Sequence, residues 1–257
     1  MAQRGPETYL PQETVVKTRR AKRQGKSPPR GDQTRQRLLE AGIEAFAQFG
    51  PEEVGIRRLA AAAGVNSSAL SYYFGGKEGY YRAVLRFLID TVGRSIREAA
   101  EAAAQSFRRQ PDSTTARQLL RRFMRTVVTV VLTKPYAEAA AAIIWRELLR
   151  PSSGFPIVYD QMIRPVHELI TELTAAAMGT DPDDPQAVLL AHSLWGQAAI
   201  FRLGFHVLRR RLKWRGRRLS QDWVDRIADT VEAMVARLFS SDTPGGTKRN
   251  RRRASLP

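Results

Sequence analysis

The stretch IRRLAAAAGVNSSALSYYF, residues 56–74, decides the fold of this chain. Its first half has apolar residues at the i, i+3, i+4, i+7 spacing of a short amphipathic helix: Ile56, Leu59, Ala60 and Ala63. We expect this helix to end at Gly64, which adopts a left-handed conformation easily. A second helix then begins at a capping residue, Asn66 or Ser67, and runs to Phe74. Two short helices joined by a tight turn predict a helix-turn-helix, whose second helix can enter the major groove of DNA.

Helical spacing continues on both sides of this motif. Upstream, apolar residues at steps of three and four predict a first helix with Asp32 or Thr34 as its cap and Gly50-Pro51 as its stop. Downstream, Gly75-Gly76 interrupts the chain and Lys77 begins a long fourth helix. Further helices are predicted at about 113–133, 136–149, 157–178, 185–208 and 221–240. With no alternating strand pattern, the chain is predicted to be all-α.

Composition separates two basic terminal segments from the body of the chain. Residues 1–31 (net charge +6) and 241–257 (net charge +4) are predicted to be a disordered basic arm and a disordered basic tail, because they are poor in large apolar side chains. Between these two segments lies the predicted helical body, residues 32–240. Of the total charge of +17, the folded body therefore carries 17 − 10 = +7.

Several classes of function are disfavoured by composition. Cysteine is absent, so disulfides, thiol nucleophiles and cysteine zinc sites are excluded, and we expect neither a metal nor a cofactor. The first residues lack the apolar run of a secretory signal. The most apolar stretch, residues 187–205, is interrupted by His192, Gln197 and Arg202, which predicts a buried helix rather than a membrane span.

Over about fifty residues the sequence resembles the TetR/AcrR transcription regulators. The resemblance rests on these residues at fixed spacing: Thr34-Arg35, Leu38-Leu39-Glu40-Ala41, Phe46, Phe49-Gly50, Leu59-Ala60, Ala63-Gly64-Val65, Leu70, Tyr72-Tyr73-Phe74, Gly76-Lys77-Glu78 and Tyr81. Two positions depart from the family: Gly55 stands where Ser or Thr usually caps the second helix, and Ser71 where Tyr is frequent. The run from Ser71 to Gly79, together with Arg146-Glu147, Pro151, Phe155 and Arg164-Pro165, is similar to the CecR-type subgroup.

The resemblance implies a three-helix DNA-binding domain, residues 32–78, followed by a larger helical domain for effector binding and dimerisation, residues 79–240. It also implies a set of DNA contacts. It implies that Thr34 and Arg35 meet phosphates at the start of the first helix, and that Tyr72, Tyr73 and Lys77 clamp the DNA backbone. The residues implied to face bases are Asn66, Ser67, Ser68, Ala69 and Ser71. Their small hydroxyl, amide and methyl groups suit base edges, and Ala69 suits a thymine methyl. Arg57 is a further candidate, although a solvated side chain is the alternative.

The larger domain supplies candidate effector-binding and dimerisation residues. The candidates for effector binding are aromatic, Met or charged residues within apolar stretches: Phe123, Trp145, Arg146, Met162, His167 and Trp195. At helical spacing each of them is also compatible with an ordinary core position. Arg146 and Glu147 lie about 100° apart on a helix, so both cannot point into one pocket equally well. Helix 185–208 and the stripe Trp223, Ile227, Val231, Met234 and Leu238 predict an isologous four-helix dimer contact, with the internal core of a monomer as the alternative.

The leading hypothesis is a cytoplasmic, nucleoid-associated homodimeric repressor, released from a palindromic DNA operator by a small-molecule effector. The coupling is predicted to pass through the long helix that starts at Lys77. One alternative is a non-specific architectural protein that binds nucleic acid through its basic tails; the basic segment 209–218 could add to it or could merely connect two helices. An all-α enzyme is disfavoured, because no catalytic constellation stands out and Asp181, Asp183 and Asp184 fit a loop or helix cap.

Overall fold

The computed structural model describes residues 30–214 and 219–240. Most of the predicted basic arm, residues 215–218 of the basic segment and the predicted tail lie outside the described residues. All regular structure in the described part of the chain is helical, which confirms the predicted all-α class.

The predicted helices around the helix-turn-helix are present. They are α1 (Arg30–Glu53), α2 (Ile56–Ala62), α3 (Ser67–Phe74) and α4 (Lys77–Val92). Because α1 already begins at Arg30, the predicted caps Asp32 and Thr34 lie inside its first turns, and that detail was wrong. The predicted stop is present, since Gly50 leaves helical geometry with φ 79° and only a short turn follows to Glu53.

The turn between α2 and α3 follows from local signals in the sequence. Gly64 takes a φ of 67°, as expected for the residue after the end of a helix. Asn66 caps α3, because its side-chain oxygen accepts the backbone N–H groups of Ser68 and Ala69 at 2.7 and 3.3 Å. By contrast, no side chain caps the start of α2, because its N-cap residue is Gly55.

The larger domain contains the remaining helices. They are α5 (Arg94–Arg109), α6 (Ser113–Thr133), α7 (Ala137–Leu149), α8 (Phe155–Val158), a π-helical turn (Tyr159–Ile163), α9 (Arg164–Met178), α10 (Pro185–Leu203), α11 (Phe205–Arg211) and α12 (Gln221–Leu238). Asp184 caps α10 by accepting the N–H of Gln186 at 2.8 Å, as the sequence predicted for this acidic loop. The long helix predicted to start at Lys77 is two helices, since α4 ends at Val92 and α5 starts after Gly93.

Close packing of α1 on α4 builds the core of the DNA-binding domain. Tyr80 of α4 is fully buried and donates its hydroxyl to the backbone oxygen of Leu38. A Cβ atom at Gly42 would lie 2.6 Å from the Tyr80 hydroxyl oxygen and 2.7 Å from a methyl carbon of Val84. The absence of a side chain at Gly42 therefore lets the two helices approach.

In the larger domain α6 is central and packs against α5, α9, α10 and α12. Arg125 of α6 is paired with Asp229 and Glu232 of α12. The predicted dimer stripe of α12 is divided, because Ile227 and Val231 are buried in the core of their own subunit while Leu238 is exposed. The prediction that this whole stripe faces a second copy was therefore wrong.

Within the described ranges, no single helix has the length and apolar character to cross a membrane. Helices α6 and α7 satisfy that test only as a pair, and the pair is bent by 107° at the break between them.

Candidate functional site

The outer face of α3 is exposed. Tyr72 is 84% exposed although it is a large aromatic residue, while Leu70 on the opposite side is fully buried. Ser67, Ser68 and Ser71 share the exposed face. An exposed tyrosine among small hydroxyl side chains is suited to contact phosphates and base edges.

Asn66 and Ala69, the other two residues predicted to face bases, lie at the start of α3. The side-chain oxygen of Asn66 accepts the hydroxyl of Ser68 in addition to the two backbone N–H groups. Capping therefore already engages the Asn66 oxygen. Ala69 is half-buried beside this capped end.

The start of α1 lies next to the end of α3. The Arg35 guanidinium carbon is 5.6 Å from the centre of the Phe74 ring, and a Cβ at Gly31 would lie 3.6 Å from the Tyr73 hydroxyl oxygen. Thr34 accepts a hydrogen bond from Arg37 at 3.4 Å. The fold thus brings the residues predicted to meet phosphates from both helices to one side of the domain.

The two other basic candidates lie elsewhere on the same domain. Arg57 is exposed on α2. Lys77, at the start of α4, donates its Nζ to the backbone oxygen of Glu52 at 3.1 Å. Its ammonium group therefore has a partner within the protein, at the end of α1.

A cavity in the larger domain collects three of the predicted effector-binding residues. Its volume is about 100 Å³, and Trp145, Met162 and Trp195 line it together with aliphatic residues of α4, α6, α7 and α10. A second cavity of about 70 Å³ adjoins it and shares Met162 and Trp195 as walls. Small apolar cavities of this kind favour compact, mostly hydrophobic ligands.

The other three candidates lie outside these two cavities. Phe123 is buried in the core and lines none of the cavities found in the described part of the chain. His167 lines a neighbouring open cleft of about 490 Å³, where its Nε2 is 3.3 Å from Nδ1 of His192. Burial, and secondarily the facing His192, lower the pKa of His167, whereas nearby Glu168 opposes this shift.

Arg146 points to the DNA-binding domain and not to either small cavity. Its Nη1 donates to the backbone oxygen of Phe46 at 2.7 Å, and its Nη2 lies 3.4 Å from the backbone oxygen of Ala47. The side chain also packs against Gly50, where α1 leaves helical geometry. The sequence could not show this contact, because the two partners are a hundred residues apart.

The neighbouring Glu147 is buried and points to a different helix. It accepts the hydroxyl of Tyr81 at 2.6 Å and both the N–H and the hydroxyl of Ser152, at 3.0 and 2.7 Å. Burial and the hydrogen bond to Glu147 raise the pKa of Tyr81. Adjacent residues of α7 thus contact α1 and α4 separately, in agreement with their predicted angular separation.

One charged residue that lines the apolar cavity was not among the predicted effector-binding residues. Arg202 lines the 100 Å³ cavity from α10, where it is paired with Glu138 of α7 at 2.7 Å. The signal was present in the sequence, since Arg202 is the only formal charge between residues 187 and 205.

A helix-turn-helix with an exposed reading helix, carried by a larger helical domain with an internal apolar cavity, defines a DNA-binding transcription regulator. Comparison with known proteins gives the family. Residues 38–84 match the family model for bacterial regulatory proteins of the tetR family. Residues 116–245 match the C-terminal domain of the HTH-type transcriptional dual regulator CecR. The chain therefore belongs to the TetR family and carries a C-terminal domain of the CecR type.

One relative supports this family assignment, and two solved structures share the fold. The chain is 34% identical to the HTH-type transcriptional dual regulator CecR of Shigella flexneri over 186 residues, which is 72% of this chain and 82% of the relative. A TetR-like regulator from Rhodococcus sp. RHA1 has the same fold, with a TM-score of 0.57 and 19% identity over 84% of this chain and 100% of the other. AibR, solved with isovaleryl coenzyme A and operator DNA, has a TM-score of 0.56 and 16% identity over 78% and 97% of the two chains.

Proposed function

We propose that this protein is a homodimeric repressor whose two α3 helices bind a palindromic operator and whose larger domain binds a small molecule that releases it. The observation that carries this proposal is the double role of α7. Ile144, Trp145 and Leu148 of this helix line the cavity, while Arg146 between them holds the backbone of α1. A ligand that moves α7 therefore displaces the DNA-binding domain directly.

On the DNA side, we propose that Tyr72 and the α3 hydroxyl groups contact the operator, with Arg35 and Thr34 on an adjacent phosphate. Arg57 and Tyr73 would extend this surface, whereas Lys77 would have to leave the backbone oxygen of Glu52 to reach a phosphate. The basic arm and tail add sequence-independent attraction to DNA. No catalytic role is proposed, and the site of action would be the cytoplasm, at the nucleoid.

On the dimer side, α10 is the proposed contact. This helix is apolar around nearly its whole circumference, which is typical of helices buried on all sides. In a single subunit, however, Leu189 is 62% exposed and Ile200 is 54% exposed. A second copy packed on this face would cover them, and a two-fold dimer would space two reading helices about one turn of DNA apart.

The coupling that we propose differs from the predicted route through one long helix. Because α4 ends at Val92, the route has two contacts, from Arg146 to α1 and from Glu147 to Tyr81 of α4. AibR, which has this fold, was solved with both an acyl coenzyme A and operator DNA, which supports a fold that accommodates both kinds of partner.

Selection from randomised duplex DNA followed by sequencing tests the proposal. The wild-type protein should enrich a palindromic site at near-physiological salt, and the Tyr72→Ala variant should not. Tyr159→Ala, which removes an exposed tyrosine of the larger domain, is the matched control and should enrich the same site. Binding without any enriched sequence would instead favour the architectural alternative.

A further inference from the structure

Arg202 is unlike every other residue around the apolar cavity. Of the described residues that line this 100 Å³ cavity, only Arg202 carries a formal charge. The adjoining 70 Å³ cavity has one arginine in its wall, Arg97, which is paired with Asp90 at 3.1 Å. Its side chain is 13% exposed, so most of its interaction with water is lost on folding. A cation in this position needs an anionic partner nearby, because an unpaired buried charge is costly.

The present partner of Arg202 is easy to replace. Glu138 lies 2.7 Å from the Arg202 guanidinium, but its side chain is 80% exposed. Water solvates an exposed carboxylate well, so Glu138 loses little when the pair separates. Arg202, in contrast, is largely buried and still requires an anionic partner when the pair separates. This asymmetry allows the anionic group of a ligand to take the place of Glu138.

The helix end beside Arg202 reinforces the preference for negative charge. Ala137, the first residue of α7, lines the same cavity, and no side chain caps this end of the helix. The N-terminal end of a helix carries partial positive charge and stabilises anions.

The size of the space limits the rest of the ligand. The cavity of about 100 Å³ and the adjoining one of about 70 Å³ share Val131, Ile144, Met162 and Trp195 as walls. An engineered apolar cavity of about 150 Å³ binds benzene in another protein. One ring or one short alkyl chain therefore fits here once the shared walls move apart.

From these observations we infer that the effector is a compact apolar monoanion, such as an aromatic or short-chain carboxylate. Its anionic group binds Arg202 in place of Glu138, and its apolar body lies between Trp145 and Trp195. This inference rests on the proposed effector-binding function of the larger domain. It also links ligand binding to the DNA-binding domain, because Glu138 lies on α7, the helix that contacts α1 through Arg146.

Calorimetric titration of the full chain in the absence of DNA tests the inference. The probes are benzoate, phenylacetate and hexanoate, each paired with its neutral amide. We expect at least one carboxylate to bind about tenfold more tightly than its amide, and Arg202→Met to abolish that preference. Arg164→Met, which removes an arginine from the neighbouring cleft, should leave the preference intact.

Replacement of Glu138 gives a second test that does not disturb a buried residue. Glu138→Gln removes the competing carboxylate and should raise carboxylate affinity about two- to fivefold. Glu98→Gln, an exposed carboxylate of α5 away from the cavity, should leave affinity unchanged. Three outcomes overturn the inference: no carboxylate preference in the panel, loss of the preference in Arg164→Met instead, or no gain in Glu138→Gln. Since DNA is absent, these outcomes are independent of whether an operator is recognised.

Discussion

The guanidinium of Arg146 donates to the backbone oxygen of Phe46 at 2.7 Å, joining α7 of the larger domain to the last regular turn of α1. The carbonyl groups at the end of a helix have no partners within the helix, and an arginine is well suited to bind them. Four residues later, Gly50 ends the regular part of α1. Arg146 of α7, a helix that lines the cavity, therefore binds α1 close to the point where α1 leaves helical geometry.

Replacing Arg146 should weaken this connection. Arg146→Gln loses a charged hydrogen bond to Phe46 and should lower the free energy of unfolding by about 1–3 kcal/mol. Urea titration measures this effect, and Arg150→Gln at the exposed end of α7 is the control. The variant should also show a smaller effect of any inducing ligand on operator affinity. An unchanged response to ligand would exclude Arg146 from the coupling.

Two glycines of the DNA-binding domain should respond to substitution with opposite signs. Gly42→Ala places a methyl group against the buried Tyr80, and overpacking of this kind costs about 1–3 kcal/mol even though alanine favours helix formation. Gly55→Ser has open space around it and supplies the missing cap of α2, for a gain of a few tenths of a kcal/mol. Thermal unfolding of both variants checks the pair. A stabilised Gly42→Ala would contradict the described packing of α1 on α4.

Acidification should reveal the environment of His167. Burial and the neighbouring His192 lower the pKa of His167, Glu168 opposes this shift, and Arg164 lines the same cleft. The folded protein therefore binds a proton at His167 less readily than the unfolded chain does. Stability is thus unaffected by this group above the unfolded pKa of about 6.5 and falls as the pH drops below it. His167→Gln should lose less stability than the wild type between pH 7 and pH 5. His206→Gln, an exposed histidine of α11, should behave like the wild type.

The exposed apolar face of α10 should be required for dimer formation. The double variant Leu189→Glu and Ile200→Glu places charges on that face without entering the core, since both side chains are more than half exposed. Sedimentation should show a dimer for the wild type and a monomer for the double variant. Leu149→Glu, equally exposed on α7, should remain dimeric. A dimer that survives the double change would place the interface elsewhere.

The elements that the sequence predicted well carry their signals locally. The eight residues of helix α3 lie between its cap at Asn66 and Gly75, which takes a φ of 72°. Helix α6 spans the predicted residues because Asp112 caps one end and Pro135 follows the other. In both cases neighbouring residues determine where the helix begins and ends.

The features that escaped prediction depend on distant partners or on weak local preferences. Gly93 separates α4 from α5, although its own φ and ψ remain in the helical region. A single glycine within a helical pattern does not by itself show that the helix ends there. The π-helical turn Tyr159–Ile163 has no comparable sequence signal. The contact of Arg146 with α1 could not be predicted either. A charge within an apolar stretch indicates that the side chain needs a partner, but it does not identify that partner.

The main proposal is that two α3 helices, related by the dimer axis, read one palindromic DNA site. Its most direct test is the affinity of the protein for the selected site before and after five base pairs, half a helical turn, are inserted between the half-sites. We expect the affinity to fall to that of a single half-site, because one dimer holds its two reading helices about one turn of DNA apart. An affinity that does not change with the half-turn insertion would contradict it.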